Sequence, residues 1–144
     1  MRILFVCTGN TCRSPMAEAM ARRIFKDKDI EILSAGIACP NGAPASENAA
    51  LVMKERGLDI SGHRSRPVDA GLAQWADVIL TMGESHKTRL ESVFSLHNDK
   101  ILTLAEYAFG ENRDISDPFF YGLDVYKRCA GEIYDAILKI AKRL

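Results

Sequence analysis

Ile3-Leu4-Phe5-Val6 is an unbroken apolar run that opens directly into Cys7-Thr8-Gly9-Asn10-Thr11-Cys12-Arg13-Ser14-Pro15 and then into Met16-Ala17-Glu18-Ala19-Met20-Ala21. The run has the length and the β-branched, aromatic content of a buried strand, of the kind found in parallel sheets. Ser14-Pro15 reads as a helix N-cap followed by a first-turn proline, so a helix begins there. A strand, a tight loop and a helix in immediate succession commit the chain to an α/β architecture, because parallel strands need helical crossovers.

The remaining pattern repeats the alternation. Apolar strands are expected near 2–7, 30–34, 77–82 and 100–103, and helical periodicity near 14–26, 45–56, 84–95 and 123–143. The expectation is a three-layer, doubly wound, four-stranded parallel sheet with helices on both faces and right-handed crossovers. Gly57 after Lys54-Glu55-Arg56 is a helix stop. Ile133, Ala136, Ile137, Ile140, Ala141 and Leu144 form one apolar stripe that faces the core. Asp69 to Gln74 reads as a short helix, with Trp75 behind it as a packing residue. The chain of 144 residues is expected to be a single domain over 1–144, large enough for a core without disulfides or a structural metal.

The loop itself carries chemistry. Free backbone N–H groups between a strand and a helix can curl around an anion, the positive end of the helix dipole faces the same point, and the Arg13 guanidinium can grip two phosphoryl oxygens together. Helix N-termini and arginines favour the thiolate form of a cysteine beside them, and a thiolate is a nucleophile. Cys7 to Arg13 is therefore a phosphate-binding loop after strand 1, and the first reading is a hydrolase of phosphate esters or phosphoramidates. The bland alternative is a buried structural cysteine in a dinucleotide-type turn.

Val6-Cys7-Thr8-Gly9-Asn10-Thr11-Cys12-Arg13-Ser14-Pro15-Met16-Ala17-Glu18 resembles the signature of the low-molecular-weight protein tyrosine phosphatase family, and Asp117-Pro118-Phe119 resembles its acid loop. The resemblance implies that Cys7 is the nucleophile, Arg13 the transition-state clamp and Asp117 the general acid and then base, with no metal and no cofactor. It also implies phosphate contacts from Thr8, Gly9, Asn10, Thr11, Cys12 and Ser14, and places Asn10, Ser14, Ser34 and His63 as braces of the loop. Ser14 has a second implied task, donating to the departing sulfur. Read alone, Asp117 is an ordinary turn opener and His63 a surface histidine in a polar stretch. Cys12 reads either as a small residue packed under the loop or as a redox partner that traps oxidised Cys7 in a disulfide.

Thr11 bears on the substrate. Tyrosine-specific members of the resembling family carry a bulky aliphatic residue there, whereas Cys-Thr-Gly-Asn-Thr-Cys-Arg-Ser is similar to the bacterial protein arginine phosphatase branch. A hydroxyl on the pocket wall can bond a guanidinium, and a carboxylate at Asp117 suits a planar cation, with Phe119 flanking the leaving group. The expectation is a phosphatase acting on phosphoarginine in proteins, with phosphotyrosine as the alternative. Arsenate reduction on the same scaffold is a minor alternative, since Cys39 and Cys129 are expected to lack a close partner. An inactive phosphate-binding adaptor would have lost Cys7 or Asp117, and both are present.

Nineteen basic and nineteen acidic residues cancel, so no polybasic surface for nucleic acid arises, and Arg22-Arg23 and Arg64-Ser65-Arg66 are short solvated faces or a pocket rim. No apolar stretch is long enough for a membrane, no leader pattern is seen, and the four cysteines show no zinc spacing. A cytoplasmic, monomeric enzyme with phosphorylated proteins as its partners is expected. Tyr121 and Tyr126 read as surface tyrosines, and the turn-rich stretch from Cys39 to Pro44 as an edge of the pocket.

Overall fold

The computed structural model describes residues 1–144. Four parallel strands, β1 (Arg2–Cys7), β2 (Glu31–Gly36), β3 (Val78–Thr81) and β4 (Ile101–Thr103), form one sheet in the order β2-β1-β3-β4. The helices are α1 (Arg13–Ile24), α2 (Glu47–Glu55), α3 (Ala70–Trp75), α4 (Glu84–Val93), α5 (Leu104–Phe109) and α6 (Leu123–Ala141).

Strand β1 is central, and its side chains alternate between two cores, which is why its sequence is apolar throughout. Ile3, Phe5 and Cys7 enter the larger core with residues of α1, α2, α5 and α6, while Leu4 and Val6 enter a smaller one with Ala73 of α3 and Leu90 of α4. Each fully buried large apolar side chain, such as Phe5, Met16 or Leu80, contributes about 1.5–3 kcal/mol. Strand order reverses at β1, with β2 on one side and β3 on the other. A crevice therefore opens at the carboxyl ends of β1 and β3, the place where such sheets receive ligands.

The stripe on α6 is buried at Ile133, Ala136, Ile137 and Ile140, but Ala141 is only half-buried and Leu144 is exposed, because the helix ends at Ala141. Gly57 follows α2 with φ +78°, a left-handed turn that stops the helix without a Cβ penalty. Trp75 is half-buried against the smaller core with the Arg2 guanidinium 5.8 Å above its ring.

Helix α5 is absent from the expected elements. It is started by a capping box in which Thr103 Oγ1 accepts from the Glu106 amide and the Glu106 carboxylate accepts from the Thr103 amide, and Gly110 closes it at φ +71°. Thr103 ends β4 and caps α5 at once, leaving no loop to mark the change.

Candidate active site

The loop after β1 is held from its middle. Asn10 has φ +53°, a left-handed conformation that asparagine tolerates better than most residues, and its side chain is buried. Its Nδ2 donates to Ser14 Oγ at 2.8 Å and to Ser34 Oγ at 3.0 Å, its Oδ1 accepts from the Arg66 amide at 3.0 Å, and its carbonyl accepts from His63 Nε2 at 2.7 Å. Every polar group of the side chain is thus used, which fixes the amide's orientation and offsets about 1–3 kcal/mol of backbone strain. The Ser34 hydroxyl in turn donates to Glu18 Oε1 at 2.5 Å, so α1 and β2 are tied through the same residue. His63 braces the loop and does not lie idle on the surface.

Ser14 departs from the expected N-cap. Helix α1 begins at Arg13 with Cys12 as the cap residue, and no side chain bonds its first amides, which leaves them free at the mouth of the loop. The Ser14 hydroxyl lies 2.9 Å from Cys7 Sγ. Because it already accepts from Asn10, its proton is free to point at the sulfur.

Gly36, the register partner of Cys7, closes the back of the loop. A Cβ there would lie 2.8 Å from both the Cys39 sulfur and the Thr8 carbonyl oxygen and 3.1 Å from Asn10 Cβ, so only glycine fits. Cys39 thus lies close to the loop, at the start of the turn expected to edge the pocket, and burial followed by the nearby Cys7 pushes its thiol up. Cys129 lies beneath the acid loop, donating to the Ser116 carbonyl at 3.4 Å, and burial raises it to about 12, which makes it an inert thiol.

Arg13 is buried, with Nη1 donating to the Ile115 carbonyl at 3.1 Å and Nη2 3.5 Å from Asp117 Oδ2. The segment that carries Asp117 is pinned on both sides: the Ile115 amide donates to the Met82 carbonyl at the end of β3, and Pro118 is buried. Asp117 itself is half-exposed, and its Oδ1 accepts from the Phe119 amide at 3.1 Å. Cys7, Thr8, Gly9, Thr11, Cys12, Arg13, Ala38, Asp117 and Phe119 line one cavity of about 290 Å³. A larger open groove of about 520 Å³ runs along α1 behind the loop, past Glu18 and His63, and holds no nucleophile.

Three contributors were not foreseen. Ala38, just ahead of the Cys39–Pro44 turn, lines the cavity. Tyr126 is buried, not a surface tyrosine: its hydroxyl is 3.3 Å from Cys12 Sγ and accepts from Ser46, and burial pushes it to about 12. His86 on α4 reaches Thr8 Oγ1 with Nε2 at 2.8 Å, and burial, then the Arg13 guanidinium, pushes its imidazole down to about 4. None of the three has a local signal, since each reaches the loop through tertiary packing.

No helix is long and apolar enough to cross a membrane. The family model described as low molecular weight phosphotyrosine protein phosphatase matches residues 2–144. A protein-arginine-phosphatase of Bacillus subtilis is 40% identical, with 100% of this chain and 97% of the relative covered. The solved structure of YwlE arginine phosphatase, a C7S mutant with a phosphorylated active site serine, superposes with a TM-score of 0.97 at 36% identity, covering 100% of this chain and 95% of that one. A low molecular weight protein tyrosine phosphatase from T. tengcongensis superposes with a TM-score of 0.96 at 45% identity, covering 100% and 99%. With the full length of the chain matched in sequence and in shape, it belongs to the low molecular weight phosphotyrosine protein phosphatase family.

Proposed function

We propose that the chain is a cysteine-dependent protein phosphatase that hydrolyses phosphoarginine, as a single phosphatase domain over residues 1–144 working as a monomer in the cytoplasm. The observation that carries the reading is that Cys7, Thr11, Arg13 and Asp117 line the same cavity. The cavity brings together a nucleophile, an anion clamp, an acid and a wall hydroxyl, with no further group needed for the reaction.

Cys7 Sγ attacks phosphorus in line as the P–N bond to the guanidino group breaks. The electron pair leaves on nitrogen, and Asp117 supplies the proton that makes it a guanidinium. The loop amides and Arg13 hold the charge on the three equatorial oxygens. Water then attacks the phosphocysteine, giving its proton to the Asp117 carboxylate, and the sulfur leaves as a thiolate stabilised by the Ser14 hydroxyl. Asn10, Ser34 and His63 take no part in bond making. They hold the loop so that its amides stay aimed at the anion.

Thr11 lines the wall beside the leaving group, and its oxygen can accept from a guanidinium where a methyl cannot. The arginine phosphatase of Bacillus subtilis is a full-length relative, which supports the same substrate class. The tyrosine reading stays in view because the relative from T. tengcongensis is a tyrosine phosphatase by name and is more than 40% identical.

The test is kcat/KM on one peptide bearing phosphoarginine and on its phosphotyrosine counterpart, for wild type and Thr11→Ile. Wild type is expected to prefer phosphoarginine. Thr11→Ile is expected to swing the ratio toward phosphotyrosine by roughly 10- to 100-fold, the worth of a hydroxyl whose loss strands a polar partner. A wild type that favours phosphotyrosine, with a ratio unmoved by the substitution, would make this a tyrosine phosphatase and Thr11 a matter of loop geometry.

A further inference from the structure

His86 is buried, yet it carries the one buried side-chain polar atom in the molecule without a hydrogen-bond partner, Nδ1. Its other nitrogen, Nε2, lies 2.8 Å from the hydroxyl of Thr8, the residue after the nucleophile. The two side chains meet across the crevice where strand order reverses, Thr8 on the loop after β1 and His86 on the helix after β3. Thr8 is exposed at the mouth and lines the cavity, whereas His86 is closed off behind it.

The direction of this hydrogen bond decides what Thr8 can do. If the hydroxyl donated to Nε2, the imidazole proton would sit on Nδ1, a buried N–H with no acceptor, which is a rare and costly arrangement. With the proton on Nε2, the histidine donates to Thr8 Oγ1, the orphan is only a lone pair, and the Thr8 hydroxyl keeps its own proton for something else. Burial first, and then the positive Arg13 on α1, hold the imidazole toward its neutral form against Asp114 and Asp117, the two carboxylates that face it.

We propose that the Thr8 hydroxyl, turned outward by the Nε2–H of His86, is an additional donor to the phosphoryl group in the cavity, with His86 as its positioning residue. The proposal rests on the cradle reading above and extends it from backbone amides to a side chain on the rim. In this arrangement His86 touches neither substrate nor sulfur and acts only through Thr8.

The test is the affinity of the full chain for inorganic phosphate, measured as competitive inhibition of p-nitrophenyl phosphate hydrolysis, in Thr8→Val, Thr8→Ser, His86→Leu, His86→Gln and the double variant Thr8→Val/His86→Leu. Thr8→Val and His86→Leu are each expected to weaken phosphate by about ten-fold, the worth of one hydrogen bond to a charged group. The double variant should be no weaker than Thr8→Val alone. Thr8→Ser should stay within about two-fold of wild type, and His86→Gln, whose amide can donate as Nε2 does, should recover most of the loss. An unchanged affinity in Thr8→Val, or a full further loss from His86→Leu on the Thr8→Val background, would overturn the proposal. A wild type that does not bind phosphate would overturn the cradle reading itself and this proposal with it. Should His86→Leu fail to fold, the nitrogen-15 shifts of His86 in wild type decide instead. They are expected to show a protonated Nε2 and a bare Nδ1, and the reverse assignment would contradict the proposal.

Discussion

Replacing Cys7 by Ser is expected to lower kcat/KM by about 10⁴-fold or more on every phosphorylated substrate, while affinity for inorganic phosphate stays within a few-fold of wild type. The loop amides and Arg13 do not depend on the sulfur, so the anion still has its cradle. What is lost is the nucleophile: an alcohol oxygen at the same place is a far poorer attacking group and, once phosphorylated, a far poorer leaving group than sulfur. Ser14, 2.9 Å from the sulfur, can stabilise a thiolate but cannot make an alkoxide available near neutral pH. Steady-state rates on a phosphoarginyl peptide and on p-nitrophenyl phosphate, beside phosphate inhibition constants, check both halves. Retention of more than about 1% of wild-type activity would place the covalent step elsewhere.

Arg13→Lys is expected to cost about 10²- to 10³-fold in kcat although charge is conserved. The guanidinium does three things from a buried position. One nitrogen is fixed by the Ile115 carbonyl, another stands 3.5 Å from Asp117, and the fork as a whole faces the cavity. A lysine ammonium is a point charge and cannot anchor to the acid loop while gripping two phosphoryl oxygens. Its loss should therefore exceed that of an ordinary ion pair and fall on kcat more than on KM, because the grip tightens as charge spreads in the transition state. A lysine variant within about ten-fold of wild type would show that simple charge, not the planar fork, is what the reaction needs.

The parts of this molecule that could be read from the chain are those whose cause is local. The run from Ile3 to Val6 is a strand because it is buried on both faces, and the loop and helix that follow are contiguous with it, so the proposed nucleophile and clamp come from one short stretch. Ser14 shows the limit of local rules. Serine before proline is a sound N-cap signal, yet the cap falls two residues earlier, at Cys12, and the hydroxyl is taken by Asn10 and Cys7. Thr103 and Glu106 form a capping box that was present in the sequence, but β4 runs straight into it and hides the boundary. The braces of the loop have no local cause, and Ser34 and His63 are legible only through the family resemblance, Arg66, His86 and Tyr126 not at all. Ser34, His63 and Arg66 converge on Asn10 from distant positions, and His86 and Tyr126 arrive from helices whose sequences mark them only as ordinary helical residues. Their roles depend on which strand ends the topology brings together.

The measurement that tests the central claim most directly is mass spectrometry of the Ser14→Ala protein, acid-quenched during turnover of a phosphoarginyl peptide. Without the Ser14 hydroxyl to stabilise the departing thiolate, hydrolysis of the covalent intermediate should slow more than its formation, so the phosphorylated enzyme accumulates. The account predicts one phosphoryl group, carried on the fragment that contains Cys7 and absent from the same fragment of a Cys7→Ala/Ser14→Ala control. Turnover of phosphoarginine with no phosphoryl group on that fragment, or with the group on another residue, would contradict it.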